Sequence, residues 1–103
     1  MKATAITRDY ILETLRANQE RLRNEFGIER IGLYGSFARN EQNEKSDIDL
    51  VYHLQDGRFL DLPARERLYR VLRRNLGQKL DLVNDKVMNP FISYYMRKDV
   101  IYV

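Results

Sequence analysis

Cysteine is absent from this sequence of 103 residues. Without thiols the chain can form no disulfide, no thiolate-bound metal site and no cysteine nucleophile, and such a composition fits a reducing compartment. No apolar run approaches the length of a membrane-spanning helix, and the opening residues MKATAITRDY lack the apolar core of a signal peptide. We therefore expect a cytoplasmic protein that makes no contact with a membrane.

The sequence also lacks a strong excess of either charge. It has 18 Lys and Arg against 15 Asp and Glu, a net charge of +3. The resulting pI of about 9.3 is a feature shared with nucleic-acid-binding proteins. Because the acidic and basic residues are interspersed, we expect no direct binding of nucleic acid. The length is typical of one domain, which we assign to residues 1–103.

Hydrophobic periodicity divides the chain into alternating helices and strands. Helical spacing runs from Thr7 to about Glu25 and across LPARERLYRVLRRNLG, and Asn89-Pro90 is a typical helix start. Residues 37–45 predict a brief helical turn and a polar loop. Strand alternation occurs in four stretches: ERIGLYGS, SDIDLVYHL, QKLDLV and DVIYV. This order predicts an α+β (or α/β) fold, with a single mixed sheet of about four strands and helices packed on one face.

The last predicted helix is rich in apolar side chains. We expect Phe91, Ile92, Tyr95 and Met96 to form its buried side. Its tyrosines belong to the core and its rim in this interpretation. Because aromatic residues are enriched at interfaces, a role of this end of the chain in docking a partner stays open.

Two aspartates flank a single isoleucine in the second predicted strand. Asp47 and Asp49 point to the same side, with backbones roughly 6–7 Å apart, while Ile48 points to the other. Neighbouring carboxylates repel each other unless a cation lies between them, and oxygen ligands of this kind suit Mg²⁺. Asp81, in the same orientation on the following strand, could supply a third carboxylate. Three such acids predict a site for two metal ions in phosphoryl transfer.

A glycine-serine corner precedes this acidic strand. Gly35 permits a tight turn, and Ser36 opens a helical turn whose free N–H groups can hold a phosphate. Arg39 adds a cation one turn further on. The segment therefore predicts a phosphate-holding corner beside a metal-holding strand.

These residues together resemble a known family. Gly35-Ser36, ten residues, Asp47-x-Asp49 and a later lone Asp81 are similar to the motif of the DNA polymerase β-like nucleotidyltransferase superfamily. The chain resembles the minimal nucleotidyltransferase (MNT) branch of this superfamily over roughly Ile11 to Val103. The resemblance lies in the segments GSFAR and SDIDL and in the leading helix. Many members of that branch are antitoxins encoded beside a HEPN-domain ribonuclease toxin.

The resemblance implies an activity and a role for each motif residue. The activity is Mg²⁺-dependent transfer of AMP from ATP to a hydroxyl, here a tyrosine of the partner HEPN toxin, which blocks its ribonuclease. Asp47 and Asp49 would hold two metal ions, and Asp81 would ligate the catalytic ion and help to deprotonate the hydroxyl. Gly35 and Ser36 would hold the terminal phosphates, near Arg39. Family members commonly have Gly where this chain has Asn40, a residue that also tolerates left-handed backbone.

Other interpretations stay open at this point. The acidic pair could belong to a solvated strand face, and the acceptor could be a small molecule or a nucleic-acid end. The protein could also neutralise its partner by binding alone, although three converging acids argue against this. Because the sequence matches only the catalytic core, we expect a partner protein to supply most of the acceptor surface. The arginines of the segment from Arg65 to Arg74 form either a solvated face or a stripe that contacts a partner or RNA.

Overall fold

The structure is a computed structural model that describes residues 6–103. Residues 1–5, the first of the expected domain 1–103, lie outside the described residues. They also begin the segment in which the sequence predicts no signal peptide. In chain order the elements are α1 (Arg8–Ala17), α2 (Gln19–Phe26), β1 (Ile28–Tyr34), β2 (Ile48–Leu54), α3 (Leu62–Leu76), β3 (Leu80–Asn84), a 3-10 turn (Asp85–Val87), α4 (Pro90–Asp99) and β4 (Ile101–Tyr102).

The strands form one mixed sheet in the order β3-β2-β1-β4. Strand β2 pairs antiparallel with β1 and parallel with β3, and β4 pairs antiparallel with β1. The parallel pairing of β2 and β3 is made by the connection through α3, because parallel neighbours need a crossover. The predicted α+β fold with a single mixed sheet of four strands is confirmed.

The predicted N-terminal helix is interrupted at Asn18. Thr7 caps α1 as expected, its side chain accepting a hydrogen bond from the Tyr10 N–H at 3.1 Å. At Asn18 the backbone leaves the helical region (φ −101°, ψ 4°), and the side chain donates to the Thr14 carbonyl at 2.8 Å. An asparagine side chain competes in this way for backbone hydrogen bonds, so one helix becomes two. Helix α2 ends at Gly27 with a left-handed φ of 71°, as the sequence predicted.

One face of the sheet carries the main hydrophobic core. Helices α1, α2 and α3 cover this face, and their apolar residues meet the aliphatic side of β1 and β2. Phe37 and Ala38, from the connection between these strands, are buried in the same core. Its other buried members are Ile11, Leu12, Leu15, Leu22, Phe26, Ile28, Ile31, Leu33, Ile48, Leu50, Tyr52, Leu54, Leu68, Leu72, Leu76 and Leu80.

Helix α4 packs on the opposite face, which corrects the expectation of helices on one face only. Its contact is small, since Met96 is buried against Val51 and Tyr34 in a separate cluster. The prediction that Phe91, Ile92 and Tyr95 are buried is wrong: they are 78%, 49% and 64% exposed. The physical reason is that this face of the sheet offers little apolar surface to a helix, since Tyr34 and Val51 are flanked on β2 by Asp49 and His53.

The connection between β1 and β2 is a single helical turn followed by a polar loop, as the sequence predicted. The Arg39 N–H donates a hydrogen bond to the Gly35 carbonyl at 3.1 Å, and the Glu41 N–H donates one to the Ser36 carbonyl at 2.8 Å. Asn40 has a φ of 60°, which ends the helical path after a single turn. The helices of residues 6–103 include none that is long and apolar enough to span a bilayer.

Candidate active site

Gly35 brings the end of β1 against the acidic strand β2. Its φ is +77°, and a Cβ at this position would collide with the Asp49 carboxylate, lying 3.1 Å from Cγ and closer still to Oδ2. Only glycine combines this backbone conformation with the absence of a side chain. The glycine-serine corner and the carboxylate of Asp49 are therefore in direct contact.

The turn that follows Gly35 leaves backbone donors free. Within residues 6–103, the N–H groups of Ser36, Phe37 and Ala38 donate to no backbone carbonyl, whereas those of Arg39 and Asn40 do. Burial of Phe37 and Ala38 in the core fixes the direction in which this turn faces. Successive unpaired N–H groups are suited to binding a phosphate.

Asp49 and Asp81 are neighbours in the sheet. They are register partners in the parallel pairing of β2 with β3, so both side chains lie on the face opposite the main core. Asp47 lies two residues before Asp49 and is exposed. The structure thus brings the predicted residues Gly35, Asp49 and Asp81 together, with Asp47 immediately before the first residue of β2.

The electrostatics of Asp49 reflect this crowding. Its pKa is raised to about 6, first by burial and then by the nearby charges of Asp81 and Asp47, while Arg39 acts in the opposite direction. Tyr34, on the adjacent strand, has its pKa raised to about 12 by burial and by the charges of Asp49, Asp81 and Asp99. The pKa values of Asp49 and Tyr34 are thus both raised mainly by burial and further by neighbouring negative charges.

Whether this acidic site fits a metal ion can be judged from its donor groups. Within the described residues, no three carboxylate or imidazole groups lie close enough together to enclose an ion unaided. Mg²⁺, however, is typically held by one or two carboxylates, with water and substrate phosphates completing its shell. The oxygen donors of Asp49 and its acidic neighbours, whose mutual repulsion a cation would relieve, fit that chemistry.

Arg39 is held by two carboxylates. Its Nη1 donates to Asp99 Oδ2 at 2.5 Å, and its Nε donates to Glu41 Oε1 at 2.8 Å. The Gly35 N–H also donates to Asp99 Oδ1, in a long hydrogen bond of 3.4 Å. The sequence placed Asp99 in the final strand, but it is the last residue of α4. No local pattern marks it, because its partners lie more than fifty residues away.

Two grooves adjoin these residues. One, of about 360 Å³, is bordered by Gly35, Arg39 and Asp99 and by the exposed aromatic side chains of α4. The other, of about 550 Å³, lies between α3 and the β3 edge and includes Asp81 in its lining. Its basic residues are Arg65 and Arg70, from the arginine-rich segment of α3. The first groove thus borders the corner, whereas the second lies on the α3 side of the sheet, where Tyr52 and Leu80 belong to the main core.

His53 lies on the same face of the sheet as Asp49, but its ring nitrogens lie near carboxylates outside the acidic site. Its Nδ1 is 2.8 Å from Asp85 Oδ2, and its Nε2 is 3.5 Å from Glu29 Oε2. The ring is therefore engaged by carboxylates from the 3-10 turn and from β1.

The chain is similar to characterised protein families and relatives over most of its length. Residues 18–103 match the family described as polymerase beta, nucleotidyltransferase. The protein adenylyltransferase MntA of Thermococcus cleftensis is 31% identical over 101 residues, which cover 95% of this chain and 97% of the relative.

Solved structures agree with these sequence similarities. A structure described provisionally as a minimal nucleotidyltransferase superposes with a TM-score of 0.70 at 31% identity, covering 96% of this chain and 98% of the other. A toxin–antitoxin structure with AMP-PNP has a TM-score of 0.67 at 25% identity, covering 94% of this chain and 72% of the other. The chain therefore belongs to the polymerase β-type nucleotidyltransferase family, in its minimal branch.

Proposed function

We propose that this protein is a Mg²⁺-dependent adenylyltransferase that transfers AMP from ATP to a hydroxyl, preferably a tyrosine, of a HEPN-domain toxin and thereby acts as its antitoxin. The observation that carries the proposal is the contact between the Gly35 corner and Asp49, with Asp81 beside it on β3. A turn whose N–H groups could bind a phosphate thus lies next to a pair of carboxylates.

The corner is proposed to bind the triphosphate. The free N–H groups after Gly35, the Ser36 hydroxyl and the Arg39 guanidinium provide hydrogen-bond donors and positive charge for the terminal phosphates. Holding these phosphates orients the α-phosphorus toward the acids of β2 and β3. Positioning of this kind supplies much of the catalysis in phosphoryl transfer, which needs little covalent chemistry from the protein.

The acids are proposed to divide two tasks. Asp47 and Asp49 would hold Mg²⁺, and Asp81 would contribute to the same ions; the metal supplies charge neutralisation at the phosphates. Asp81 would accept the proton of the incoming hydroxyl. The bond from the acceptor oxygen to the α-phosphorus forms, the bond between the α- and β-phosphates breaks, and pyrophosphate leaves.

The comparisons support the proposed nucleotide and a protein acceptor. The relative of similar length is named a protein adenylyltransferase, and the toxin–antitoxin structure holds an ATP analogue. The open groove bordered by Gly35, Arg39 and Asp99 suits a protein acceptor, which can cover it on binding.

A transfer assay tests this proposal. The protein, Mg²⁺, radiolabelled ATP and a HEPN toxin encoded beside it are incubated, and the label on each chain is measured. We expect the toxin to be labelled, the label to be lost with EDTA or Asp47→Asn, and the exposed Asp56→Asn control to match the wild type.

Three outcomes separate the alternatives. Absence of label under all conditions, with the toxin still inhibited, would favour neutralisation by binding alone. Label on a nucleic acid or a small molecule in place of the toxin would keep the chemistry and change the acceptor. Equal labelling by the wild type and Asp47→Asn would contradict the assigned role of the acids.

A further inference from the structure

The carboxylate of Asp99 makes contacts that set it apart from the other acids of the site. One oxygen accepts from Arg39 Nη1 at 2.5 Å and the other from the Gly35 N–H at 3.4 Å. Its side chain is 16% exposed, whereas that of Arg39 is 46% exposed. Asp99 is thus the less accessible partner, held at the corner by the end of α4.

Both groups that Asp99 engages belong to the corner proposed to grip the terminal phosphates. A carboxylate and a phosphate are both oxyanions that accept hydrogen bonds from guanidinium and backbone N–H groups. Arg39 Nε is also engaged, since it donates to Glu41 Oε1 at 2.8 Å. In the free protein, the positive charge of Arg39 is therefore already neutralised by residues of the chain itself.

We propose that Asp99 is an internal anion that occupies the phosphate corner of the free protein and must be displaced when a triphosphate binds. This inference rests on the proposed function, since it assumes that the corner binds phosphate. A ligand that delivers several negative charges together can replace the single carboxylate, so Asp99 determines how strongly the corner discriminates among phosphate ligands.

The opposite role for Asp99 makes an opposite prediction. If its carboxylate held Arg39 in the orientation that binds phosphate, its removal would weaken triphosphate binding. If it competes with the ligand, its removal strengthens binding. The sign of one affinity change therefore decides between the two roles.

Calorimetry on the full chain measures whether the replacement of Asp99 strengthens or weakens triphosphate binding. Inorganic tripolyphosphate and Mg²⁺–AMP-PNP are titrated into the wild type, Asp99→Asn and Glu41→Gln. Glu41 is the matched control, because its carboxylate pairs with Arg39, whereas the Gly35 N–H donates to Asp99. We expect Asp99→Asn to bind both ligands about three- to tenfold more tightly, the scale of a partly exposed charge-assisted contact. A smaller gain is expected for Glu41→Gln.

Two results overturn different parts of the account. If the wild type binds tripolyphosphate and Asp99→Asn binds it equally or more weakly, the role of Asp99 as a competing anion is wrong while the proposed function stands. If neither the wild type nor Asp99→Asn binds any triphosphate, the proposed function fails and this inference fails with it.

A measurement on the wild type covers the case in which Asp99→Asn does not fold. The ¹³C resonance of the Asp99 carboxylate and the amide resonance of Gly35 are followed by NMR during titration with tripolyphosphate. We expect both to shift with the same midpoint. A shift of the Gly35 amide with an unchanged Asp99 carboxylate would overturn the displacement.

Discussion

At the scale of single residues, Asp49 connects the two halves of the site. Its carboxylate lies against Gly35 on one side and pairs in register with Asp81 on the other. The cost of this position is visible in its pKa, which is raised from 3.8 to about 6, mainly by burial. The folded state therefore binds a proton more tightly here than the unfolded state does.

The raised pKa of Asp49 determines the direction in which this group changes protein stability with pH. Because Asp49 binds its proton more tightly in the folded protein than in the unfolded chain, this group lowers the stability of the metal-free protein as pH rises from about 4 to about 6. Asp49→Asn should remove this loss and stabilise the metal-free protein at pH 8 by about 1–2 kcal/mol, a figure reduced for solvent screening of a half-buried group.

Denaturant unfolding of both proteins in EDTA at pH 4.5 and pH 8 measures this difference. The exposed Asp56→Asn serves as the control for removing one negative charge. A smaller stability for Asp49→Asn than for the wild type at pH 8 would show that the environment of Asp49 favours its charge, contrary to this account.

Gly35→Ala tests the contact between the corner and the strand. Ala is strained at a φ of +77°, and its Cβ would displace the Asp49 carboxylate. Gly57→Ala is a matched control, since Gly57 has a φ of +79° and the position that a Cβ would take there has no atom within 4 Å. We expect about 1 kcal/mol of destabilisation at Gly57 from the backbone alone, and a larger loss at Gly35.

Thermal and urea unfolding of the two alanine variants give the comparison. Nucleotide transfer should fall at least tenfold with Gly35→Ala and stay near the wild-type rate with Gly57→Ala. Equal stability losses at the two positions would mean that the Cβ at Gly35 is accommodated without moving Asp49.

Residue-level prediction from the sequence succeeded where the signal was local. The same-face positions of Asp49 and Asp81 follow from strand alternation, and the positive φ of Asn40 agrees with its tolerance of the left-handed region. The pairing of Arg39 with Asp99 was missed because it joins residues sixty positions apart. Their proximity depends on the packing of α4, which no local pattern encodes.

At the scale of elements, the positions of helices and strands were predicted correctly where the hydrophobic periodicity is strong, and less well where it is weak. The strands β1 and β2 form where they were predicted, although Tyr34 and Val51 are buried on the face that was expected to stay uncovered. Helix α3 begins at the Asp61 cap and ends at Gly77, close to its predicted limits. The break at Asn18 was missed because apolar spacing continues through it.

Helix α4 shows why an apolar helix need not be buried. Apolar residues occur around much of its circumference, so the sequence did not decide which side meets the sheet. The sheet decided it, since Val51 and Tyr34 offer a small apolar contact that accepts Met96 and leaves Phe91 in solvent.

Substitution of α4 residues tests this orientation. We expect Met96→Ala to destabilise the protein by about 2 kcal/mol, the low end for a buried side chain because the cluster is small. Phe91→Ala should change stability by less than about 0.5 kcal/mol, since Phe91 is 78% exposed. Urea unfolding measures both values. A larger cost for Phe91→Ala than for Met96→Ala would mean that α4 packs with its aromatic side inward, as the sequence first suggested.

At the scale of the whole molecule, the sheet separates stability from chemistry. One face holds the core under α1, α2 and α3, and the other carries Asp49 beside Asp81, with Asp49 and Asp99 both against Gly35. Loss of a charge on the second face therefore need not disturb the first. This separation allows a small chain to place repelling acids together and remain folded.

Paramagnetic NMR tests the central claim, that these acids and the corner form one site for a metal-bound triphosphate. Mn²⁺ substitutes for Mg²⁺ and is titrated with AMP-PNP into the full chain, and the broadening of each backbone amide signal is recorded. We expect the amides of Gly35, Asp49 and Asp81 to broaden first and together, and the effect to weaken strongly in Asp49→Asn. Broadening centred on other residues, or unchanged in Asp49→Asn, would contradict the account.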